Sequence, residues 1–249
     1  SSVQGKINAG LESDQILLRV LELPAVDREE LAGMVHLQVD KFSPFPVESM
    51  VVSHEVLSRD AEKVKVLIAA VKKDVVGQAG AVLKRAGRAS ARIDAAILGR
   101  WRILKDAGVV SSTGRELVLL MEGPAPELVM CQNGIPILFR FLAGGEGLSE
   151  ADFADETVRE IGYTVMSAEM ENGPSECSIT IWHGGKLSAG LVEKIKGECG
   201  GRVAVKALDT VAASAEGLAR RMGDAEGIDL TPQEWRLTGD ARLFRRKTI

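Results

Sequence analysis

Apolar positions recur along this chain with two periods, and the changes between them mark the elements. Residues 14–23, DQILLRVLEL, alternate and are rich in branched aliphatics, which predicts a strand stopped by Pro24. From Asp27 the spacing becomes helical. Leu31, Met34, Val35, Gln38, Val39 and Phe42 form one stripe behind Asp27 as N-cap, with Glu30 three residues on. The SPFP stretch at 43–46 must end that helix, because a proline ring cannot sit in a helix interior. SMVVSHEVLS and KVKVLIAAV then read as two strands joined by the polar RDAE turn. A helix over 73–85 closed by Gly87 follows, and ARIDAA is a further short strand or the start of the helix that carries Trp101. Taken as a strand, it completes the order β-α-β-β-α-β, a ferredoxin-like pattern.

After residue 114 the texture changes to short strands with Gly and Pro turns. RELVLLME, ELVMCQ and IPILFRF predict a three-stranded meander, and Asn133-Gly134 is a hairpin signal. Ser149 caps a helix with acidic residues in its first turn, where they favour the helix dipole. ECSITIWHGG is another strand. A helix with Leu187, Leu191 and Ile195 on one face, the strand GRVAVKAL and the helix TVAASAEGLARRM complete an α/β body. SSVQG at 1–5 is given no role in the fold.

Composition narrows the function. A net charge of −4 lacks the cationic surplus that neutralising phosphates requires, so a nucleic-acid partner is not expected. Three cysteines, Cys131, Cys177 and Cys199, have no CxxC spacing and suit a reducing compartment. No run approaches the roughly 20 apolar residues of a membrane span. Two glycine pairs precede helices, Gly144-Gly145 and Gly184-Gly185, where backbone N–H groups could approach an anion. Neither fits a phosphate-loop motif, and a tight strand-to-helix turn explains both. His36, His54 and His183 are far apart in sequence and have no metal-ligand spacing. Cys177 and His183 flank one strand, about 20 Å apart if extended, so they form no dyad. No GxSxG elbow is present. The carboxylates lie mostly near Lys or Arg, which reads as solvated helix faces. No catalytic residue, metal or cofactor is assigned.

Several segments together resemble a known family. LELPAVDREELAGMVHLQVDKFSPFPVESMVVSHEVL, KVKVLIAAVKKDVV, LKRAGRASARIDAA, NGIPILFRFLAGG and ITIWHGGKLSAGLVEKIKGECG look, in this order, like the PilM family of type IV pilus assembly. The cytoplasmic half of GspL from type II secretion is similar in design. The resemblance covers most of residues 14–222. It implies a degenerate actin-like (ribonuclease H-like) α/β fold with a ferredoxin-like β-α-β-β-α-β subdomain. The implied division is 14–95 for that subdomain, 96–225 for the actin-like subdomain and 226–249 for a leader toward the membrane.

The departures from the family bear on function. Where an actin-like ATPase carries an Asp-x-Gly turn for Mg²⁺ and phosphate, this chain has LLMEGPAPEL. Leu120 or Glu122 stands in place of the Asp, and Pro124 and Pro126 offer no N–H. The chain is also expected to begin after the family's first phosphate loop. A scaffold is therefore expected, with a nucleotide-binding actin-like ATPase as the alternative. At the other end, LTPQEWR resembles the cytoplasmic leader of PilN, the small membrane-spanning partner of PilM. Arg242, Arg245, Arg246 and Lys247 would then form a positive-inside flank, with Trp235 or Phe244 nearer the interface, and an apolar span is expected after Ile249. The implied place is the cytoplasmic face of the bacterial inner membrane. The implied partners are PilN/PilO-like or GspM-like platform proteins and a GspE-like ATPase. Oligomeric state is open, a homodimer being the commonest arrangement for such platforms.

Overall fold

The computed structural model describes residues 7–87, 90–122, 125–185, 187–199, 202–232 and 235. In chain order the elements are β1 (Ile7–Leu11), β2 (Leu17–Pro24), α1 (Arg28–Phe42), β3 (Met50–Arg59), β4 (Lys63–Lys72), α2 (Lys73–Arg85), β5 (Ser90–Ala95), α3 (Ala96–Asp106), β6 (Arg115–Met121), β7 (Glu127–Gln132), β8 (Ile135–Phe141), α4 (Glu150–Asn172), β9 (Cys177–His183), α5 (Ala189–Cys199), β10 (Val203–Ala207) and α6 (Ser214–Arg221). A short 3-10 turn at Ser13–Gln15 delays β2 by three residues relative to the alternation that begins at Asp14.

The local signals act as the sequence implies. The Asp27 carboxylate accepts the N–H groups of Glu29 and Glu30, both at 2.9 Å, and so satisfies two donors at the start of α1. Asn133 and Gly134 both adopt positive φ, 52° and 75°, the two-residue turn whose twist matches the hairpin of β7 and β8. Ser149 caps α4 through its hydroxyl.

Three sheets result. One has five strands in the order β10-β9-β6-β7-β8, with β10, β9 and β6 parallel and β7 antiparallel to both neighbours. Counted from β6, that order reads 3-2-1-4-5 in reverse, the ribonuclease H-like arrangement. A second sheet, β2-β4-β3, is antiparallel throughout. The element order β-α-β-β-α-β is present from β2 to β5, but β5 leaves the β2-β4-β3 sheet. It pairs in parallel with β1, which the periodicity did not predict.

Helix α1 lays Leu31, Val35 and Val39 on one face of β2-β4-β3, against Val64, Val66 and Ile68. The opposite face, with Leu67, Ala69 and Val71, shares a core with Leu98, Trp101 and Leu104 of α3 and with Val118 and Leu120 of β6. Helices α4 and α5 cover the remaining face of the five-stranded sheet through Ile161, Leu191 and Ile195. At the crossing of α3 and α6 the backbones touch. A Cβ on Gly217 would overlap the Gly99 carbonyl, and one on Gly99 would meet the Leu218 side chain at 2.6 Å.

That crossing yields a paired expectation. Gly217→Ala overpacks backbone that cannot retreat and should lower unfolding free energy in urea by about 2–3 kcal/mol. Gly162→Ala, in the exposed middle of α4 with nothing within 4 Å of the new methyl, should raise it by about 0.5–1 kcal/mol. Equal effects from the two substitutions would contradict the close crossing.

Candidate functional site

In open α/β sheets a ligand sits at the carboxyl ends of the parallel strands. Here β6 ends at Met121 and β9 at His183, and Gly184 N–H donates to the Met121 carbonyl at 3.3 Å. The next residue, Glu122, is the acid at this place, whereas Leu120 is buried in the core opposite Glu127. Arg100, from α3, reaches into the same space and is only 9% exposed. It contacts Glu127 at 2.7 Å, Glu122 at 2.9 Å and Glu12 at 3.3 Å. Ser13 donates to the second oxygen of Glu127, and Ser214 donates to Glu122 at 2.9 Å.

The cluster is acidic on balance. Three carboxylates share one guanidinium, an excess of two negative charges when all are ionised. Burial pushes the Glu127 carboxyl up against the pull of Arg100 and Ser13, and Glu12 adds to the rise. Burial opposes the Arg100 charge, but Glu127, Glu12 and Glu122 outweigh it and hold its pKa above the usual value. The cavity at this point is about 150 Å³, and Asp14 also lines it. Ligand pockets generally span about 300–1,000 Å³. A triphosphate would meet repulsion and too little room, and Pro126 has no N–H to donate. The connection between β1 and β2 enters the cleft and brings Glu12 and Asp14 to it.

The two glycine pairs adjoin neighbouring helix starts. Ser188, before α5, donates to Glu150 in the first turn of α4. One donor at each start is engaged by its cap: Asp152 N–H by Ser149, and Leu191 N–H by Ser188 at 3.3 Å. Gly145 lies under the Phe153 ring, where a Cβ would come within 2.8 Å of it. Gly184 faces Glu122, and the His183 ring contacts the Gly185 carbonyl at 2.7 Å. The turn at Gly145 is packed, whereas Gly184 and Gly185 are exposed. Burial pushes the Cys131 thiol up to about 12 and the Cys177 thiol to about 11, so neither is a thiolate at neutral pH. Among the described residues no cluster of His, Cys, Asp and Glu could hold a metal.

A second site is built where the chain returns on itself. Residues 225–232 run between β3 and β5. Leu230 N–H donates to the Ile93 carbonyl at 2.7 Å, and Ile93 N–H donates to Thr231 Oγ1 at 3.0 Å. Asp229 N–H donates to Ser53 Oγ at 2.9 Å, and Ile228 N–H donates to Glu55 at 3.2 Å. Arg92 binds three carbonyls, of Ile228 (2.6 Å), Arg221 (2.6 Å) and Asp224 (2.8 Å). Ile228 and Leu230 are fully buried. Trp235 packs against α2 at Gly80, where any Cβ would collide with the indole.

Under this segment lies a buried ionic cluster, not the solvated face that charges near Lys or Arg suggest. Arg221 sits 2.8 Å from Asp94 and 2.7 Å from Glu55. Burial opposes the Glu55 charge, but its hydrogen bond to Arg221, the Arg221 charge, the Ile228 N–H and Arg92 prevail and depress its pKa. In Asp94 burial wins over the same two arginines and the pKa rises. Two acids in one cluster are thus pushed apart. The signal available was a charged pair, Arg92 and Asp94, inside the apolar run ARIDAAIL. Of the residues expected near a membrane, Trp235 is placed on α2. Arg242, Phe244, Arg245, Arg246 and Lys247 lie outside the described residues. No helix among the described residues is long and apolar enough to cross a membrane.

No family model and no curated protein matches the sequence. Solved structures do. One belongs to a PilM-PilN type IV pilus biogenesis complex, at 18% identity and TM-score 0.70, covering 86% of this chain and 79% of that one. Another is the cytoplasmic domain of EpsL, an inner-membrane component of the type II secretion system of Vibrio cholerae, at 13% identity and TM-score 0.56, covering 94% and 80%. A third, from Bacteroides thetaiotaomicron, is a protein with an actin-like ATPase fold and unknown function, at 11% identity and TM-score 0.51, covering 86% and 72%. The chain therefore has the actin-like α/β fold in its PilM and EpsL form.

The depressed pKa of Glu55 fixes a pH dependence. Its contribution to stability is present above the ordinary carboxylate range and is lost as pH falls through the lower, folded-state pKa. Glu55→Gln removes that acid-side loss and, by breaking a largely buried pair, should cost about 2–3 kcal/mol at pH 7. Urea titrations from pH 7 to pH 3 check both, and the gap between wild type and variant should narrow toward the acid end.

Proposed function

We propose that this chain is a non-enzymatic cytoplasmic scaffold of an inner-membrane assembly platform for type IV pilus or type II secretion machinery. Residues 14–95 and 96–225 would form its body, and residues 226–249 would lead to the membrane. The observation that carries this reading is the docked segment at 225–232. It includes the start of LTPQEWR, the stretch that resembles a PilN leader, and it fills a groove of a PilM-like body. In the solved complex PilM and PilN are two named components. Here the body and the PilN-like segment are one polypeptide, an economy that suits a component meant to stay on its anchor.

The acid-lined cleft supports the non-enzymatic half of the proposal. A scaffold keeps the actin-like frame as a rigid surface, and Arg100 with its three glutamates replaces a ligand by an internal ionic cluster. PilN/PilO-like or GspM-like proteins and a GspE-like assembly ATPase are the partners this role calls for. Arg242, Arg245, Arg246 and Lys247 would face anionic headgroups, with Phe244 or Trp235 nearer the interface.

Two measurements test the proposal. Heating the chain with and without saturating Mg-ATP should leave Tm unchanged. Nucleotide at about 100 times its Kd would add roughly 2.7 kcal/mol, a rise of about 5–11 °C for this size, and such a rise would replace the scaffold by an actin-like ATPase. For the membrane half, sedimentation with phosphatidylglycerol vesicles should show binding at low salt. Replacing the four basic residues at 242, 245, 246 and 247 by Ala should weaken it by roughly 1 kcal/mol per residue. Binding indifferent to those changes would remove the membrane-proximal assignment.

A further inference from the structure

The order β2-β4-β3 leaves β3 at an edge. Its ladder runs to β4 alone, and Val51 to Ser58 are all half-buried while β4 is nearly wholly enclosed. Residues 228–229 lie beside this edge, but they bind it through the side chains of Ser53 and Glu55. Among the described residues no backbone hydrogen bond joins that segment to β3. The strand carries no Pro or Lys, and a bulge lies between Val56 and Ser58.

Between α1 and residues 225–229 a trough of about 680 Å³ follows this edge. Its floor is apolar, formed by Leu31 and Val35 of α1 with Val52 and Val56 of β3. Its rim is basic. Arg28 and His36 stand two turns apart on α1 and Arg59 closes the end of the strand, while half-buried His54 interrupts the floor between the two valines, its pKa lowered by burial and by Arg28 and His36. Arg59 donates to the Val26 carbonyl at 3.1 Å, and among the described residues neither arginine forms an ion pair. Two acids line the far wall. Asp229 is turned inward to accept Thr231 N–H at 2.9 Å, and Glu226 is exposed.

We infer that the trough along β3 is a docking site for an extended acidic segment of a partner protein. The segment would add a strand to the β3 edge, set alternate apolar side chains on the floor, and present the intervening carboxylates to Arg28, His36 and Arg59. The commitment to an acidic, extended occupant comes from charge complementarity with the rim and from the run of the trough along unladdered backbone. This inference does not rest on the platform reading, and the two fail separately.

The probe is an alternating Glu-Val octapeptide, followed by fluorescence anisotropy on the whole chain, with an alternating Lys-Val octapeptide as the charge control. The acidic peptide should bind, the basic one should not, and amide exchange at Val51 to Val56 should slow on binding. The double variant R28E/R59E should raise Kd at least about tenfold. Lys196→Glu, on α5 outside the trough, should leave Kd unchanged, and an unaltered Tm in R28E/R59E shows that the fold survives. No binding at about 1 mM peptide overturns the inference. So does equal binding of the basic peptide, or indifference to R28E/R59E. Displacement by free phosphate without any slowing of β3 exchange overturns it in favour of a small-anion site.

Discussion

Two arginines and two carboxylates share one buried volume between β3, β5 and α6, and the architecture turns on their balance. Arg221 lies between Asp94 and Glu55, and Arg92 lies 3.7 Å from Asp94 while it gathers three carbonyls from the return segment. Taking four charges out of water costs several kcal/mol per ion, so the cluster is a poor source of net stability. Its effect is on geometry. Its members come from three stretches of chain, β3, β5 and α6, and leaving any one unpaired is far more costly than keeping all four. The three-stranded sheet, the β1-β5 pair and the C-terminal segment are therefore fixed relative to one another by a condition of charge pairing, while apolar packing fills the space around it.

The second constraint is steric. Helices α3 and α6 approach backbone to backbone because Gly99 and Gly217 meet at their crossing, and α6 ends at the arginine that the ionic cluster requires. From Met222 to Gly227 only a short link remains before Ile228 is buried, so the segment is presented to its groove at high local concentration. Short tethers give effective concentrations in the millimolar range, and even a weak groove is then filled. Occupancy in this chain is a property of covalent connection more than of affinity.

Much of the fold was legible because its signals are local. A cap, a proline stop, an Asn-Gly turn and a period of 3.6 or 2 each act within a few residues, and Asp27, Pro24, Asn133-Gly134 and the α1 stripe all did so. What escaped was non-local. ARIDAA reads as a strand, but no neighbour of it says that its mate is INAGL, eighty residues earlier and broken by a glycine that Leu218 requires to be bare. The candidate sites escaped for a related reason. Charged residues are usually solvated, so Arg100, Glu127, Asp94 and Arg221 carried no sign of burial beyond their apolar surroundings, and Asp94 and Arg221 stand 127 residues apart. The return segment had one readable feature, the apolar-polar alternation of Ile228, Asp229, Leu230 and Thr231, which is the pattern of a strand seeking a sheet.

The two candidate sites are not independent, because one stretch of backbone passes through both. Leu230 bonds to Ile93 in β5, β5 runs without interruption into α3, and the second turn of α3 carries Arg100 into the acidic cleft. A load on the segment after Thr231 is applied first to the β5 backbone and reaches α3 without crossing a loop. On the platform reading that load comes from the membrane, and the cleft, closed by one arginine among three glutamates, resists it. An actin-like body that opened around a nucleotide would instead let β5 and α3 move as the cleft filled and emptied. The ionic cluster joins α3 through Arg100 to the β1-β2 connection, to the end of β6 and to β7, so a displacement of β5 is shared by all of them.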